Sequence, residues 1–442
     1  MNKAEKFYFI GIGGISMSAL ARILKKQGKS VCGSDRALSP LTEKLEQEGI
    51  NICVEQSEAF VKWCDACVYS GAISQSHPDI VLAKKLGKKL TSRAELLGEV
   101  SKGKRCISVA GTHGKTTTTA MIESVFLQTK LSPTVHIGGI IKSIQDNVLF
   151  GDGDIFLTEA CEYQDSFLSL ESYISVVLNV EEDHLDYFKN YQNLLESFKK
   201  FAKNTKKDGF LIVNSKIKNV FAEENNNIVT YGLCEKDDYF ARNVCQQSDG
   251  MFSCEVFERG AFLFEIKLPV LGKHNIENAL ATISVCRTLK IDSASIKKGI
   301  EKFSGVQRRM DKVCDKPLVY HDYAHHPTEI KASINSLLSL GKEVVVIFQP
   351  HTFSRTRDLY DEFLTCFDKA GRVILLPIYP AREKPIDGVC SQNMAIDLLK
   401  RGIKSEFVST FEDCFKKISD FSSDKVVLLL GAGDIENMTK LF

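Results

Sequence analysis

The chain has 442 residues, a length that suggests about three domains of ordinary size. A hydrophobic content of 44% and a charged content of 26% are ordinary for a protein with buried cores, and the formal net charge is +1. This balance excludes a broad basic field for nucleic acid or an anionic membrane. We therefore expect no nucleic-acid or membrane partner, and any polyanion must be bound locally.

The fourteen cysteines favour a reducing compartment, because they are scattered and mostly lie in apolar segments. The Cys-x-x-Cys pair Cys64 and Cys67 has no second pair downstream, so we expect neither zinc nor redox chemistry there. No apolar run approaches the length of a membrane-spanning helix. The sequence therefore predicts a soluble, cytoplasmic protein.

The first segment has the order of a dinucleotide-type βαβ unit. Residues 7–10 read as a strand, residues 11–16 as a glycine loop, residues 17–27 as a helix and residues 30–33 as a second strand that Asp35 follows. Ser16 stands where the usual fingerprint has its third glycine. Further βα units follow, and we predict a small α/β domain that binds a nucleotide-like diphosphate. Its candidate substrate-binding residues are Gly11, Gly13, Gly14, Ile15, Ser16, Asp35 and Ser70.

The most specific motif is a strand, a glycine turn and a helix. An apolar run at residues 106–110 ends at Gly111, and a helical pattern continues after Lys115. This geometry leaves backbone N–H groups pointing at a polyphosphate from the positive end of a helix. Lys115 would reach the β- and γ-phosphates, and a hydroxyl of Thr116 or Thr117 would hold Mg²⁺. The candidate nucleotide-binding residues here are Gly111, Thr112, His113, Gly114, Lys115, Thr116 and Thr117.

The middle of the chain alternates apolar strands with helices, which favours a mostly parallel sheet. Strands are predicted at residues 155–159, 174–179 and 210–214, helices at residues 193–203 and 275–289, and a hairpin at residues 252–268 around Arg259 and Gly260.

Acidic residues follow two of these strands. Glu159 ends one strand, where a carboxylate would face the nucleotide crevice of a parallel sheet and could bind Mg²⁺. Glu162 would support the metal ligands from a second layer or face the substrate. The alternative for Glu159 and Glu162 is that their side chains are simply solvated. His184 follows the next strand among four acids, Glu181, Glu182, Asp183 and Asp186, although a histidine is an unusual Mg²⁺ ligand.

The last segment predicts another α/β domain. Strands are expected at residues 318–321, 344–348, 373–376 and 426–430, with helices at residues 327–339, 360–366 and 395–399. The motifs at residues 320–327 and 348–355 each follow a strand, at the edge where ligands bind in open α/β sheets.

Seven of the nine histidines lie in glycine-, proline- or acid-rich segments, which favours sites over core positions. Asn275 and Asn278 open a predicted helix, where an amide can pair with an adenine edge or cap the helix. Arg308 and Arg309 precede the last domain, where a guanidinium could reach a γ-phosphate or remain a solvated linker charge.

Together these motifs resemble the Mur ligases, the ATP-dependent amino-acid ligases of bacterial cell-wall precursor synthesis. The resemblance runs along the whole chain through these motifs, in order: Gly11-Ile-Gly-Gly-Ile, Gly111-Thr-His-Gly-Lys-Thr-Thr, Glu159-Ala-Cys-Glu, Asp183-His184-Leu-Asp, His274-Asn275, Arg308-Arg309, Asp322-Tyr-Ala-His-His-Pro and Phe348-Gln-Pro-His. It implies an α/β protein of three domains. These are a Rossmann-like domain for a UDP-sugar (residues 1–102), a central P-loop ATPase-type domain with a mostly parallel sheet (103–305) and a Rossmann-like domain that closes over the site and receives the amino acid (306–442).

The resemblance also implies roles for single residues. Thr116, Glu159 and His184 would bind the metal, and Lys115, His184, Arg309 and His325 would serve catalysis. His274 would bind the nucleotide, Asn275 and Asn278 would contact its adenine, and Arg309 and Asp322 would reach the nucleotide from the closing domain. His326, His351 and Arg355 would contact substrates. His321 and Thr352 depart from the residues common at their positions, and Lys199 is expected to be unmodified.

The activity that the resemblance implies joins L-alanine to the carboxylate of UDP-N-acetylmuramate through an acyl phosphate, with ATP and Mg²⁺. We expect a monomer or a weak homodimer. One alternative is ligation of a preformed peptide to the same UDP-sugar. Another is a nucleotide-binding regulator that ligates nothing. An NAD-dependent oxidoreductase is least supported, because no hydride-transfer residues accompany the first glycine loop.

Overall fold

The structure is a computed structural model that describes residues 4–223, 227–381, 383–418 and 424–442. The chain divides into two compact units. Unit 1 comprises Met1–Phe240, Glu258–Ala261 and Ala279–Gly299, and unit 2 comprises Ala241–Phe257, Phe262–Asn278 and Ile300–Phe442. Within the described ranges, no helix is long and apolar enough to cross a membrane.

The first sheet lies in unit 1 and has five parallel strands in the order β3-β2-β1-β4-β5. Its elements are β1 (Lys6–Ile10), α1 (Ile15–Lys26), β2 (Ser30–Asp35), α2 (Pro40–Gln47), β3 (Asn51–Val54), α3 (Glu58–Trp63), β4 (Ala66–Tyr69), α4 (Pro78–Lys85), β5 (Lys89–Ser92) and α5 (Arg93–Ser101). Phe7 and Phe9 face one core and Tyr8 the other, as the two-residue period of a strand requires. Because the order reverses at β1, a crevice opens beyond its carboxyl end.

The second set of strands in unit 1 has the order β12-β11-β10-β6-β9-β7-β8. In the described part of the chain these neighbours pair in parallel, except for β7 and β8, which are antiparallel. Its elements are β6 (Arg105–Ala110), α6 (Lys115–Phe126), β7 (Thr134–Ile141), β8 (Asp146–Leu149), β9 (Ile155–Glu159), β10 (Ser172–Val177), α7 (Leu185–Phe188), α8 (Tyr191–Lys203), β11 (Thr205–Asn214) and β12 (Ile228–Gly232), with 3₁₀ helices at Tyr163–Ser169 and Ser215–Phe221. Strand β9 lies on one side of β6 and β10 lies on the other, so a second crevice opens at the carboxyl end of β6.

The next three strands include the predicted hairpin, which is formed by the second and third of them. They are β13 (Tyr239–Gln246), β14 (Met251–Glu258) and β15 (Ala261–Leu271), and the helices α9 (His274–Thr288) and α10 (Ser293–Glu301) follow. Strands β14 and β15 are hydrogen-bonded neighbours joined by Arg259 and Gly260. Both residues have positive φ angles, 48° and 85°, as a two-residue type I′ turn requires.

The third sheet lies in unit 2 and has six strands in the order β16-β17-β21-β18-β19-β20, parallel except for β16. Its elements are β16 (Asp311–Asp315), β17 (Leu318–Asp322), α11 (Pro327–Leu338), β18 (Glu343–Phe348), α12 (Phe353–Asp358), α13 (Tyr360–Cys366), β19 (Arg372–Leu375), α14 (Ser391–Lys400), β20 (Ser405–Phe407), α15 (Phe411–Lys416) and β21 (Lys425–Leu430), with a 3₁₀ helix at Asp434–Leu441. Val346 and Phe348 face one core and Ile347 the other.

The predicted fold class, α/β with mostly parallel sheets, is confirmed. Each strand predicted after residue 305 is present within one or two residues of its expected bounds. The domain boundaries at residues 102/103 and 305/306 stay predictions.

Candidate functional site

The phosphate loop connects β6 to α6, and glycine sets its shape. Gly111 has φ 146° and Gly114 has φ 84°, and a Cβ on Gly111 would lie 2.9 Å from the Cβ of Leu178. The His113 N–H donates to Asn179 Oδ1 at 2.8 Å, and Asn179 Nδ2 donates to the His113 carbonyl oxygen at 3.1 Å. The loop is therefore held against the chain that follows β10.

Lys115, at the first position of α6, is held by oxygen atoms. Its Nζ donates to the carbonyl oxygens of Gly111 and Thr112 and lies 3.0 Å from both carboxylate oxygens of Glu162. Burial, the largest single effect, lowers the pKa of Lys115, but the charge and hydrogen bond of Glu162 together with the charges of its neighbours outweigh it and raise the pKa above its usual value. A buried, charged ammonium therefore lies at the loop. The ion pair with Glu162 was not predicted from the sequence.

Thr116 and Glu159 meet beside this lysine. Thr116 Oγ1 donates to Glu159 Oε2 at 3.0 Å, and the Gly138 N–H donates to Glu159 Oε1 at 2.7 Å. A hydroxyl and a carboxylate are the hard oxygen ligands that Mg²⁺ prefers, so this pair fits the ion. Among the described residues, no three histidine, cysteine, aspartate or glutamate side chains form a metal cluster.

His184 lies near Glu162. Its Nε2 is 3.9 Å from Glu162 Oε1 and 3.6 Å from Asp183 Oδ2, and its ring is 4.7 Å from the ring of Tyr163. Of the other predicted acids, Glu181 lies 3.4 Å from the His113 ring, and the side chain of Asp186 is outside the described part of the chain. The proposed metal role of His184 stays a prediction.

The predicted residues of the first glycine loop gather at the carboxyl edge of β1. The Gly13 N–H donates to Asp35 Oδ2 at 2.7 Å, and a Cβ on Gly13 would lie 2.8 Å from that oxygen. Ser70 is near the other end of the loop, where its Oγ is 4.0 Å from a Cβ built on Gly11. Gly14 is the N-cap of α1, and Ile15 and Ser16 are its first two residues, so this helix begins two residues earlier than residue 17, where it was predicted. Ser16 also contacts Arg93 and His136, which the sequence did not predict.

In unit 2, Asp322 ends β17 and is buried. Ser333 Oγ donates to its Oδ2 at 2.6 Å. Burial raises the pKa of Asp322 to about 6, opposed by the charge of Arg309. The two neighbouring guanidinium groups, of Arg308 and Arg309, lie 4.8 Å and 5.0 Å from the ring centre of Tyr323. Arg308 also forms an ion pair with Glu436 at 2.8 Å. The alternative that Arg308 is an unpaired, solvated charge in a linker is therefore wrong.

The histidines after β17 and β18 come together. The rings of His325 and His351 are 5.9 Å apart, His351 stacks on Tyr379 at 5.7 Å, and Arg355 Nη1 is 3.3 Å from His351 Nδ1. Burial, helped by the charge of Arg355, lowers the pKa of His351 to about 4. His326 Nδ1 accepts from the Thr328 N–H at the start of α11, so this histidine caps a helix. Substrate contacts of His326, His351 and Arg355 stay predictions.

The asparagines of α9 contact each other. Asn275 Nδ2 donates to the Leu271 carbonyl oxygen at 2.7 Å, and Asn278 Nδ2 donates to Asn275 Oδ1 at 2.9 Å. Both polar atoms of the Asn275 side chain are therefore engaged within unit 2. His274 folds against Gly272, whose Cβ would lie 2.5 Å from its ring. The adenine contacts of Asn275 and Asn278 and the nucleotide contact of His274 stay predictions.

Three protein-family models match the chain. They are the Mur ligase family catalytic domain at residues 6–105, the Mur ligase middle domain at residues 109–286 and the Mur ligase glutamate ligase domain at residues 308–433. Two similar curated proteins are named UDP-N-acetylmuramate–L-alanine ligase. The protein of Clostridium kluyveri is 41% identical over 100% of this chain and 98% of its own length, and that of Caldicellulosiruptor bescii is 40% identical over 98% and 96%.

Solved structures agree with these matches. The crystal structure of UDP-N-acetylmuramate–alanine ligase from Thermotoga maritima superposes with a TM-score of 0.84 at 28% identity, covering 99% of this chain and 98% of the other. A murein peptide ligase from Psychrobacter arcticus has the same fold, with a TM-score of 0.74 at 20% identity over 99% and 98%. On the full-length family matches and the close relatives, this chain belongs to the Mur ligase family.

Proposed function

We propose that this protein uses ATP to join L-alanine to the carboxylate of UDP-N-acetylmuramate, a step in peptidoglycan precursor synthesis. The observation that carries the reaction class is the meeting of the Lys115 ammonium with the Thr116–Glu159 pair at one glycine loop. The substrates come from the relatives named UDP-N-acetylmuramate–L-alanine ligase, which match nearly the whole chain.

The chemistry needs an activated acid, because resonance makes a carboxylate a poor electrophile. Transfer of the γ-phosphoryl group of ATP to a carboxylate oxygen releases ADP and leaves an acyl phosphate. The amine of L-alanine attacks its carbonyl carbon, and the tetrahedral adduct expels inorganic phosphate. Lys115 stabilises the negative charge spread over the transferring phosphoryl group.

Thr116 and Glu159 are the residues that would hold Mg²⁺, since their oxygen atoms already meet at the loop. Bound there, the ion would neutralise phosphate charge. The L-alanine ammonium must lose a proton before it attacks. His184 in unit 1 and His325 in unit 2 are the candidate bases, and each lies beside a carboxylate.

The test compares phosphate release from ATP and UDP-N-acetylmuramate with L-alanine, with a cell-wall tripeptide and with no amine. We expect release that depends on L-alanine and a product whose mass increases by one alanine residue. Faster release with the tripeptide would favour the peptide-ligase alternative. Release with neither amine would favour a regulator that ligates nothing.

A further inference from the structure

His136 is a fully buried histidine that the mechanism above does not use. It lies on β7, and both of its ring nitrogens are engaged. Nε2 is 2.8 Å from Ser16 Oγ and Nδ1 is 2.9 Å from Thr158 Oγ1. Ser16 lies in the first turn of α1, directly after the first glycine loop, and Thr158 precedes Glu159. The imidazole therefore links the predicted UDP-sugar loop to the strand end that carries the candidate Mg²⁺ ligand.

The hydrogen-bond chain has a defined direction. Thr158 Oγ1 lies 3.0 Å from the Glu159 carbonyl oxygen, which can only accept, so the Thr158 proton is directed there. Thr158 Oγ1 then accepts from Nδ1–H of His136, and Nε2 is left as an acceptor for the Ser16 hydroxyl proton. Ser16 Oγ in turn accepts from Arg93 Nη1 at 3.2 Å. Burial and the charge of Arg93 lower the pKa of His136 to about 3, which keeps the ring neutral.

Strand β7 holds Glu159 at a second point. His136 pairs in register with Thr158, and two residues later the Gly138 N–H donates to the Glu159 carboxylate. A displacement of β7 would therefore move both the Thr158 hydroxyl and the Glu159 side chain. At the other end of these hydrogen bonds, Ser16 and Arg93 lie beside the first glycine loop, which is the predicted site of the UDP-sugar diphosphate.

We propose that His136 is a positioning residue that couples the first glycine loop to Glu159, so that binding of the UDP-sugar tightens binding of the metal–nucleotide complex. The proposal rests on the proposed function, because it takes the two loops as the sites of the UDP-sugar and the nucleotide. The role of His136 is to transmit the position of Ser16 to Thr158, and it contacts no reacting atom.

The test measures binding of a non-hydrolysable ATP analogue with Mg²⁺ by calorimetry, with and without saturating UDP-N-acetylmuramate. In the wild type we expect saturating UDP-sugar to lower the Kd of the analogue by about fivefold or more. His136→Leu removes both hydrogen bonds, so the ratio of the Kd without the UDP-sugar to the Kd with it should fall to near one. His136→Gln keeps one donor and one acceptor and should restore part of it.

Asn147→Ala is the matched control. Asn147 is also buried and donates from Nδ2 to the Ile15 carbonyl oxygen and to Ser18 Oγ, so it ties α1 to β8 without entering the chain through His136. We expect it to keep the wild-type ratio. If His136→Leu does not fold, Thr158→Val breaks the same chain one residue later.

Three outcomes would overturn the proposal: no coupling in the wild type, an unchanged ratio in His136→Leu, or an equal loss in Asn147→Ala. A separate calorimetric titration of UDP-N-acetylmuramate into the wild type distinguishes this failure from failure of the proposed function. Binding of the UDP-sugar without coupling overturns the role of His136 alone, whereas no binding of the UDP-sugar counts against the proposed function itself.

Discussion

Lys115 and Glu162 form a buried ion pair in which each charge depends on the other. The side chains are 17% and 3% exposed, so neither charge can be solvated alone. Removing one member of a buried pair costs more stability than the pair itself contributes, because the remaining charge is left without a partner. Stability and phosphate chemistry therefore depend on the same lysine, and a single substitution cannot separate them.

A double substitution separates these two roles. Lys115→Met should lower the free energy of unfolding by about 3 kcal/mol and reduce turnover by about 10³-fold. Adding Glu162→Gln removes the unpaired charge and should recover most of the stability without restoring turnover. Urea unfolding and phosphate release measure the two effects, and Lys130→Ala at an exposed position is the control. Recovery of turnover in the double variant would contradict the phosphate role of Lys115.

Asp322 makes the stability of unit 2 depend on pH. Its folded pKa of about 6 lies above that of an unfolded aspartate, about 3.9, so the folded state holds a proton that the unfolded state loses. The stability that this group contributes is fully present below about pH 4 and is lost as the pH rises to about 6.

Asp322→Asn should remove this dependence. The amide can still accept the proton of the Ser333 hydroxyl but does not titrate. From pH 4 to pH 7 the variant should gain about 3 kcal/mol of stability relative to the wild type. Urea unfolding of both proteins at several pH values measures the free energy of unfolding of the variant minus that of the wild type. If this difference decreases as the pH rises, the raised pKa of Asp322 is contradicted.

Two pairs of residues that the sequence assigned to common sites are in contact in the structure. Gly13 and Asp35 were both candidate substrate-binding residues, and Thr116 and Glu159 were both candidate Mg²⁺ ligands. Their ligand-binding roles stay predictions. His136 lies outside every motif, and its partner Ser16 is 120 residues away in the chain. A contact of that kind depends on tertiary structure, and no local spacing indicates it.

At the scale of elements, α5 packs against the 3₁₀ helix Tyr163–Ser169 through a glycine. A Cβ on Gly98 would lie 2.2 Å from the Ser169 carbonyl oxygen. Glycine inside a helix costs about 1 kcal/mol relative to alanine, so helix propensity alone predicts that alanine stabilises. The close approach of the backbone predicts the opposite.

Gly98→Ala should therefore destabilise unit 1 by about 1–3 kcal/mol, because the added methyl group forces the two segments apart. Thermal unfolding measures the change. Glu99→Ala, at the neighbouring and more exposed position of the same helix, should change stability by no more than about 0.5 kcal/mol. A stabilised Gly98→Ala protein would show that the helices can separate at little cost.

Elements with strong local signals were predicted well. The helix predicted at residues 327–339 is observed as α11 (Pro327–Leu338), where Pro327 lies at the start of the helix and the His326 side chain caps it. The hairpin of β7 and β8 was not predicted. Its register shifts between His136 and Ile141, so the alternation that marks a strand is interrupted there.

At the scale of the whole molecule, alternation of strands and helices was enough to predict three α/β regions. It did not predict the pairing order, such as the placement of β21 between β17 and β18. That order is set by packing between segments about a hundred residues apart in the chain, which a local pattern does not encode. The family resemblance supplied the expected role of each region. The three matched family models cover residues 6–105, 109–286 and 308–433, and the domain boundaries at residues 102/103 and 305/306 stay predictions.

The central claim is that a triphosphate is held at the loop that begins with Gly111. A crystal structure of the full chain with a non-hydrolysable ATP analogue and Mg²⁺ tests it most directly. We predict phosphate oxygens against the N–H groups of residues 111–117, Lys115 Nζ on the phosphates and Mg²⁺ beside Thr116 and Glu159. A nucleotide bound elsewhere, with Lys115 still held by Glu162 and the loop carbonyls, would contradict the account.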